Sequence, residues 1–193
     1  MENTPYIDKI IDVIAFLLHE APKHLTQYHI VKAIFLADRD HLNKYGRPIT
    51  YDNYVAMEHG PVPSCAYDCL KNNAAFLVKL GRYSFPWKEV ESDQIEQTSQ
   101  NTKFFEPSGE PQVSDLMSES DEIALKDALK KVLASNFKNL RNLTHEDPAW
   151  QEAWDSRGNQ NSKEMNYALL FDVPDQVQAD FIAESSIYLE CAN

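Results

Sequence analysis

The side chains in this sequence that could do chemistry are Asp38, His59, the pair Cys65 and Cys69, and the pair His145 and Asp147. Asp38 falls on an apolar helical stripe, seven residues after Val31 and four before Leu42, where an unpaired buried carboxylate costs several kcal/mol. It is either an acid or base, or a structural acceptor for a tyrosine hydroxyl, Arg47 or the backbone amides of the loop at Pro48, and the stripe favours the structural role. His59 precedes Gly60, which lets backbone come close, and the prolines Pro61 and Pro63 stiffen the chain beyond it. Such a loop either presents an imidazole to a substrate or forms a rigid corner; without a second catalytic group at recognisable spacing, the corner is favoured. An enzyme using His59 with Asp38 or Cys69 is kept as the alternative of another class.

Cys65 and Cys69 stand four apart on one helical face, and His59 is near enough in sequence to join them on a metal ion. Zinc motifs bring two tight ligand pairs, and the fourth ligand is missing here, so the cysteines read as small buried hydrophobes. His145 and Asp147 have the spacing of a base and its orienter, but Asp147 sits before Pro148, where it caps a helix, and no serine or cysteine elbow accompanies them. There is no phosphate-binding loop, dinucleotide fingerprint or HExxH pair. The sequence therefore leads us to expect no catalytic residue, no metal and no cofactor.

These residues must be positioned by helices. Ile7, Ile10, Ile11, Ile14, Leu17 and Leu18 describe one apolar helix face that Pro22 closes. Thr26 reads as the N-cap of a second helix whose stripe is Val31, Ile34, Phe35, Leu42 and Tyr45, with Gly46 as its left-handed end, and the two helices are expected to pack as an antiparallel pair. An irregular but fixed stretch through Arg47, Pro48, Tyr54 and His59–Pro63 comes next, then a short helix from Ser64 to Leu70 and a strand over 75–83. Ser118 and Asp121 form a capping box for a helix buried through Leu125, Leu129, Val132 and Leu133, whose spacing continues at Phe137, Leu140 and Leu143. Trp150 and Trp154, four apart behind Asp147-Pro148, read as a packing anchor. Tyr167, Leu169 and Phe171 suggest an extended piece, and Val177, Phe181, Ile182, Ile187 and Leu189 a C-terminal helix. The expected fold is mainly α (α+β): a compact multi-helix single domain over 1–193 with a small antiparallel β element.

Charge divides the chain. Residues 1–83 carry nine acidic and nine basic side chains, residues 84–193 twenty-one and nine, so the formal charge of −12 lies wholly in the second part. That field disfavours nucleic acid and anionic membranes as partners. Residues 84–118 read as an acidic insertion or β-hairpin, anchored by Phe104 and Phe105. Three unevenly placed cysteines make no disulfide framework, and the N-terminal apolar stretch is broken by Asp8, Lys9 and Asp12, so neither a leader nor a membrane span is expected and a cytoplasmic location fits.

Lys32–Asp38, His41-Leu42, Tyr45–Thr50, Tyr54 and His59–Pro63, with Tyr67 and Leu70, resemble the Panacea domain, the SocA-like family that includes phage-associated proteins. The stretch from Thr144 to Trp150 is similar to the family's second signature, while 84–118 matches nothing in it. The resemblance implies an antitoxin of a toxin–antitoxin pair that neutralises a toxin encoded beside it by direct stoichiometric binding. One relative is instead an adaptor that delivers its toxin to a AAA+ protease, which is the nearest alternative. The resemblance implies no cofactor and no catalytic residues. Asp38, Tyr45, Arg47, Tyr54, His59, Gly60, Pro61, Trp150 and Trp154 are accordingly candidates for partner binding or for structural motif roles. The acidic second part is expected to select the partner, a toxin with a basic surface.

Overall fold

A computed structural model of the chain describes residues 6–71, 77–78, 80–90, 102–111 and 114–191, with side chains up to residue 185. Among these the helices are α1 (Ile7–Glu20), α2 (Gln27–Tyr45), α3 (Ser64–Leu70), α4 (Glu119–Ala134), α5 (Phe137–His145), α6 (Pro148–Ser156) and α7 (Gln176–Cys191). The strands are β1 (Leu25–Thr26), β2 (Tyr54–Met57), β3 (Gly60–Pro63), β4 (Trp87–Glu89), β5 (Phe104–Pro107) and β6 (Lys163–Glu164). They make two antiparallel three-stranded sheets, β1-β5-β4 and β3-β2-β6. The fold is mainly α with a small antiparallel β element.

Local capping sets the helix ends. Thr26 Oγ1 accepts from the His29 amide at 3.1 Å while His29 Nδ1 accepts from the Thr26 amide at 3.3 Å, and Gly46 ends α2 at φ 75°. Ser118 and Asp121 form the same reciprocal pair at the start of α4, and Asp147 accepts from the amides of Ala149 and Trp150 on α6. Asn136 caps α5 through the Asn139 amide, which breaks the helical run before Phe137.

The apolar core has two adjoining parts. One gathers Ile10, Ile14, Leu17, Ile30, Ile34, Leu125, Leu129 and Phe105; the other gathers Phe35, Leu42, Tyr54, Ala149, Trp150 and Ile182, and Leu36 of α2 touches both. Helix α2 is thus the axis of the molecule.

Several expectations fail. The main partner of α2 is α4, with α1 in slight contact, because the stripe of α4 lies along its length. Tyr45 is 48% exposed, since the last turn of α2 runs past the core. The stretch 54–63 is a regular hairpin rather than irregular chain: Met57 pairs with Gly60 across a two-residue turn of Glu58 and His59. Leu77 and Val78 are helical and Leu80 and Gly81 turn, so no strand runs through these residues of 75–83. Tyr167–Leu170 is a 3-10 turn instead of an extended piece, capped by Asn166. Helix α7 buries Ala179, Ile182 and Ala183, leaving Val177 and Phe181 exposed; Ile187 and Leu189 lie beyond the described side chains. Ser64 opens α3 without capping it.

Candidate functional site

The singled-out residues of the first part converge on the β2–β3 hairpin and the loop that leads into it. Asp38, 2% exposed, reaches out of the middle of α2 to that loop. Its Oδ1 accepts from the amides of Ile49 and Thr50 at 2.8 and 3.0 Å, and its Oδ2 accepts from the Tyr54 hydroxyl at 2.7 Å and from the Thr50 hydroxyl. Burial pushes the Asp38 carboxyl above its ordinary pKa while these four bonds pull it down. Burial and the Asp38 charge likewise drive the Tyr54 hydroxyl well upward. A carboxylate so occupied is a structural acceptor, and its partners are a tyrosine hydroxyl and the loop amides at Pro48; Arg47 turns elsewhere.

Fourteen residues on, Asp52 repeats the device. It is fully buried, and its two oxygens accept from the amides of Cys65 and Ala66 at 2.9 Å each, so it caps α3 from outside that helix. Burial raises its carboxyl to about 7 despite those bonds. The Asp52 amide in turn donates to Thr50 Oγ1 at 3.2 Å, which joins the two carboxylates into one network.

Lys32 fixes the hairpin from below. It is 1% exposed, and its ammonium donates to the Pro61 carbonyl at 2.7 Å. Burial lowers its pKa to about 7. Gly60 has φ 99°, and a Cβ there would stand 2.5 Å from Thr144 Oγ1 and 2.8 Å from Lys32 Nζ, so α5 and α2 both press on this backbone. The Trp150 indole donates to the Met57 carbonyl at 3.1 Å, and its ring stacks with those of Trp154 at 5.4 Å and His145 at 3.7 Å. The tryptophans therefore tie α6 to the hairpin.

Arg47 lies 3.0 Å from Asp121 Oδ1, whose other oxygen meets Lys9 of α1 at 2.9 Å. Burial works to raise Asp121, but the bonds from Lys9 and the Ser118 amide, with the Lys9 and Arg47 charges, hold it below the usual carboxylate range. His41 bonds the Arg47 carbonyl at 2.8 Å and the Ser120 hydroxyl at 3.0 Å, and burial lowers its pKa. Tyr45 packs on the His41 ring at 4.5 Å.

The structure does not bring His59 to Asp38 or to the cysteines. His59 is exposed at the hairpin turn, edge-on to Phe137 at 5.4 Å. Cys65 and Cys69 are buried, and a hydrogen bond between them, followed by burial, pushes the Cys65 thiol upward. Among the described residues no three His, Cys, Asp or Glu side chains converge as metal ligands, and no helix is long and apolar enough to cross a membrane. Asp147 serves as cap and as the partner of Arg39 at 2.6 Å, rather than as an orienter for His145.

Sequence reasoning gave no role to Lys32, Asp52, Thr50 or Thr144, although Lys32, Thr50 and Thr144 lie in the stretches that carry the family resemblance. Lys32 did leave a trace: it stands four after Tyr28 and three before Phe35, so a charge interrupts the buried face. Asp52 had a weaker one, an acid inside the short run from Ile49 to Tyr54.

The fold and this network define a mainly helical domain built around one buttressed β-hairpin, with its buried carboxylates occupied in holding backbone. Residues 30–151 match the family model described as "Antitoxin SocA-like, Panacea domain". This match spans more than half of the chain, and the chain belongs to that family. No curated protein and no solved structure matches it. The matched stretch runs from α2 into α6 and holds Lys32, Asp38, Asp52, Gly60, Asp121 and Trp150; α1 and the chain after Gln151 lie outside it.

Proposed function

We propose that this protein is an antitoxin that neutralises a toxin encoded beside it by direct, stoichiometric binding in the cytoplasm, acting as a single unit without catalysis or cofactor. Membership of the SocA-like family over residues 30–151 is the observation that carries the reading. The geometry supports it: Asp38 and Asp52 spend their oxygens on backbone and hydroxyl donors, while the Phe137 ring is left exposed to solvent. The charge supports a toxin with a basic surface, drawn in by the excess of carboxylates after residue 83.

The test is to express the neighbouring reading frame with and without this chain. Toxicity that this chain relieves, with the toxin protein still present, is the expected result. A neighbour harmless on its own refutes the reading. Relief accompanied by loss of the toxin only when an ATP-dependent protease is present would instead make this chain an adaptor.

A further inference from the structure

On the side of the hairpin facing α5 stand two basic side chains, Lys32 and Arg141, beside the imidazoles of His59 and His145. Lys32 has the Pro61 carbonyl as its partner, and no described carboxylate pairs with Lys32, His59, Arg141 or His145. These groups feel one another: burial, together with Arg141, Lys32 and His59, brings His145 down to about 4. Three buried polar atoms here lack any hydrogen-bond partner, namely Tyr28 Oη, Arg141 Nε and His145 Nε2. Orphaned donors are costly, and among the described residues the Arg141 guanidinium has no carboxylate partner. Beside the cluster stands Phe137, 53% exposed, with its ring on Tyr28 at 4.9 Å and edge-on to His59 at 5.4 Å.

We infer that this face is a docking surface for a protein partner that presents an acidic side chain, whose carboxylate is received by Arg141 while the residues around it pack on Phe137. A protein fits better than a free anion because an exposed aromatic ring beside an arginine offers apolar area and a charge together, the combination on which protein interfaces concentrate their energy. Nucleic acid fits poorly, since the rest of the chain repels phosphate. The inference rests on the antitoxin reading and adds to it: the toxin, basic elsewhere, sets an acid at this point.

The experiment uses the full chain and the product of the neighbouring reading frame, with binding measured by calorimetry. Arg141→Glu and Phe137→Ala should each weaken binding about thirtyfold or more with the unfolding midpoint unchanged, while Phe181→Ala, on α7, should leave binding within about twofold. Selection for toxin variants that the Arg141→Glu chain neutralises again should return acidic-to-basic replacements. Wild-type affinity in both folded variants overturns the surface and leaves the antitoxin reading standing. A wild-type chain that neither binds nor neutralises the neighbour overturns both.

Discussion

Replacing Asp38 by alanine and by asparagine separates a structural carboxylate from a reactive one. Alanine strands the amides of Ile49 and Thr50 and the hydroxyls of Thr50 and Tyr54, all buried. Losing one side of a buried charged network costs about 3–5 kcal/mol. Asparagine keeps an acceptor for the two amides, and its NH₂ can donate to hydroxyls that turn round to accept. It also removes a charge whose burial already outweighs its hydrogen bonds, as the raised carboxyl shows. The expected loss is about 1–2 kcal/mol, because neutral bonds replace charge-assisted ones in the same frame. Urea unfolding followed by tryptophan fluorescence reads both, since Trp150 bonds the hairpin that Asp38 anchors. Neutralisation by the asparagine variant, assayed where it is folded, should equal that of the wild type. An alanine variant that loses under about 1 kcal/mol refutes the anchoring argument. An asparagine variant as stable as expected yet unable to neutralise shows that Asp38 acts as an acid or base.

Other perturbations probe the same frame. Gly60→Ala combines a strained φ with a Cβ inside contact distance of Thr144 and Lys32, and should lower stability by at least about 2 kcal/mol in the same unfolding assay. Asp52→Ala uncaps α3 and should cost about 1–2 kcal/mol, seen as faster amide exchange at Cys65 and Ala66. The Lys32 pKa is lower folded than unfolded, so the unfolded chain binds more protons between pH about 7 and 10.5 and stability rises with pH across that window. The slope approaches about 1.4 kcal/mol per unit, and Lys32→Met should remove it from the difference between the two proteins. Association with the toxin should slow as salt rises from low to near-physiological strength; an on-rate indifferent to salt counts against steering by the acidic part.

How much the sequence reveals depends on the range of each interaction. Thr26, Gly46, the Ser118–Asp121 box and Asp147 were legible because a cap and its amides lie within four residues. The first turns of α1 and the stripe of α4 were legible by periodicity. Asp52 capping α3 across a hairpin was not, and neither was Lys9 meeting Asp121 from 112 residues away, because only the folded chain decides which acid faces which base. Three periodic residues of α2 and α7 misled, Tyr45, Val177 and Phe181: each continues an apolar spacing beyond the surface that its helix buries. Asp38 stood between. Its need for partners was legible and so were the candidate partners, while the choice of Tyr54 and the loop amides over Arg47 depended on Asp121 drawing Arg47 away.

That division of labour bears on how partner choice can change. Lys32, Asp38, Asp52 and Gly60 are locked to one another through a single hairpin and its loop, so replacing any of them moves backbone before it moves a surface. Such changes act on stability, and a loss of a few kcal/mol is a large part of the about 5–15 kcal/mol that holds a domain folded. Phe137 and Arg141 lie outside that lock, on a helix whose cap is its own Asn136. Their replacement leaves the hairpin in place and alters what the protein offers a partner. Substitutions that shift which toxin is neutralised should therefore collect at Phe137 and Arg141 of α5 and in the acidic part of the chain, while those in the hairpin anchor should abolish neutralisation of every toxin alike; specificity changes that map to Asp38 or Lys32 in stably folded variants would break this separation.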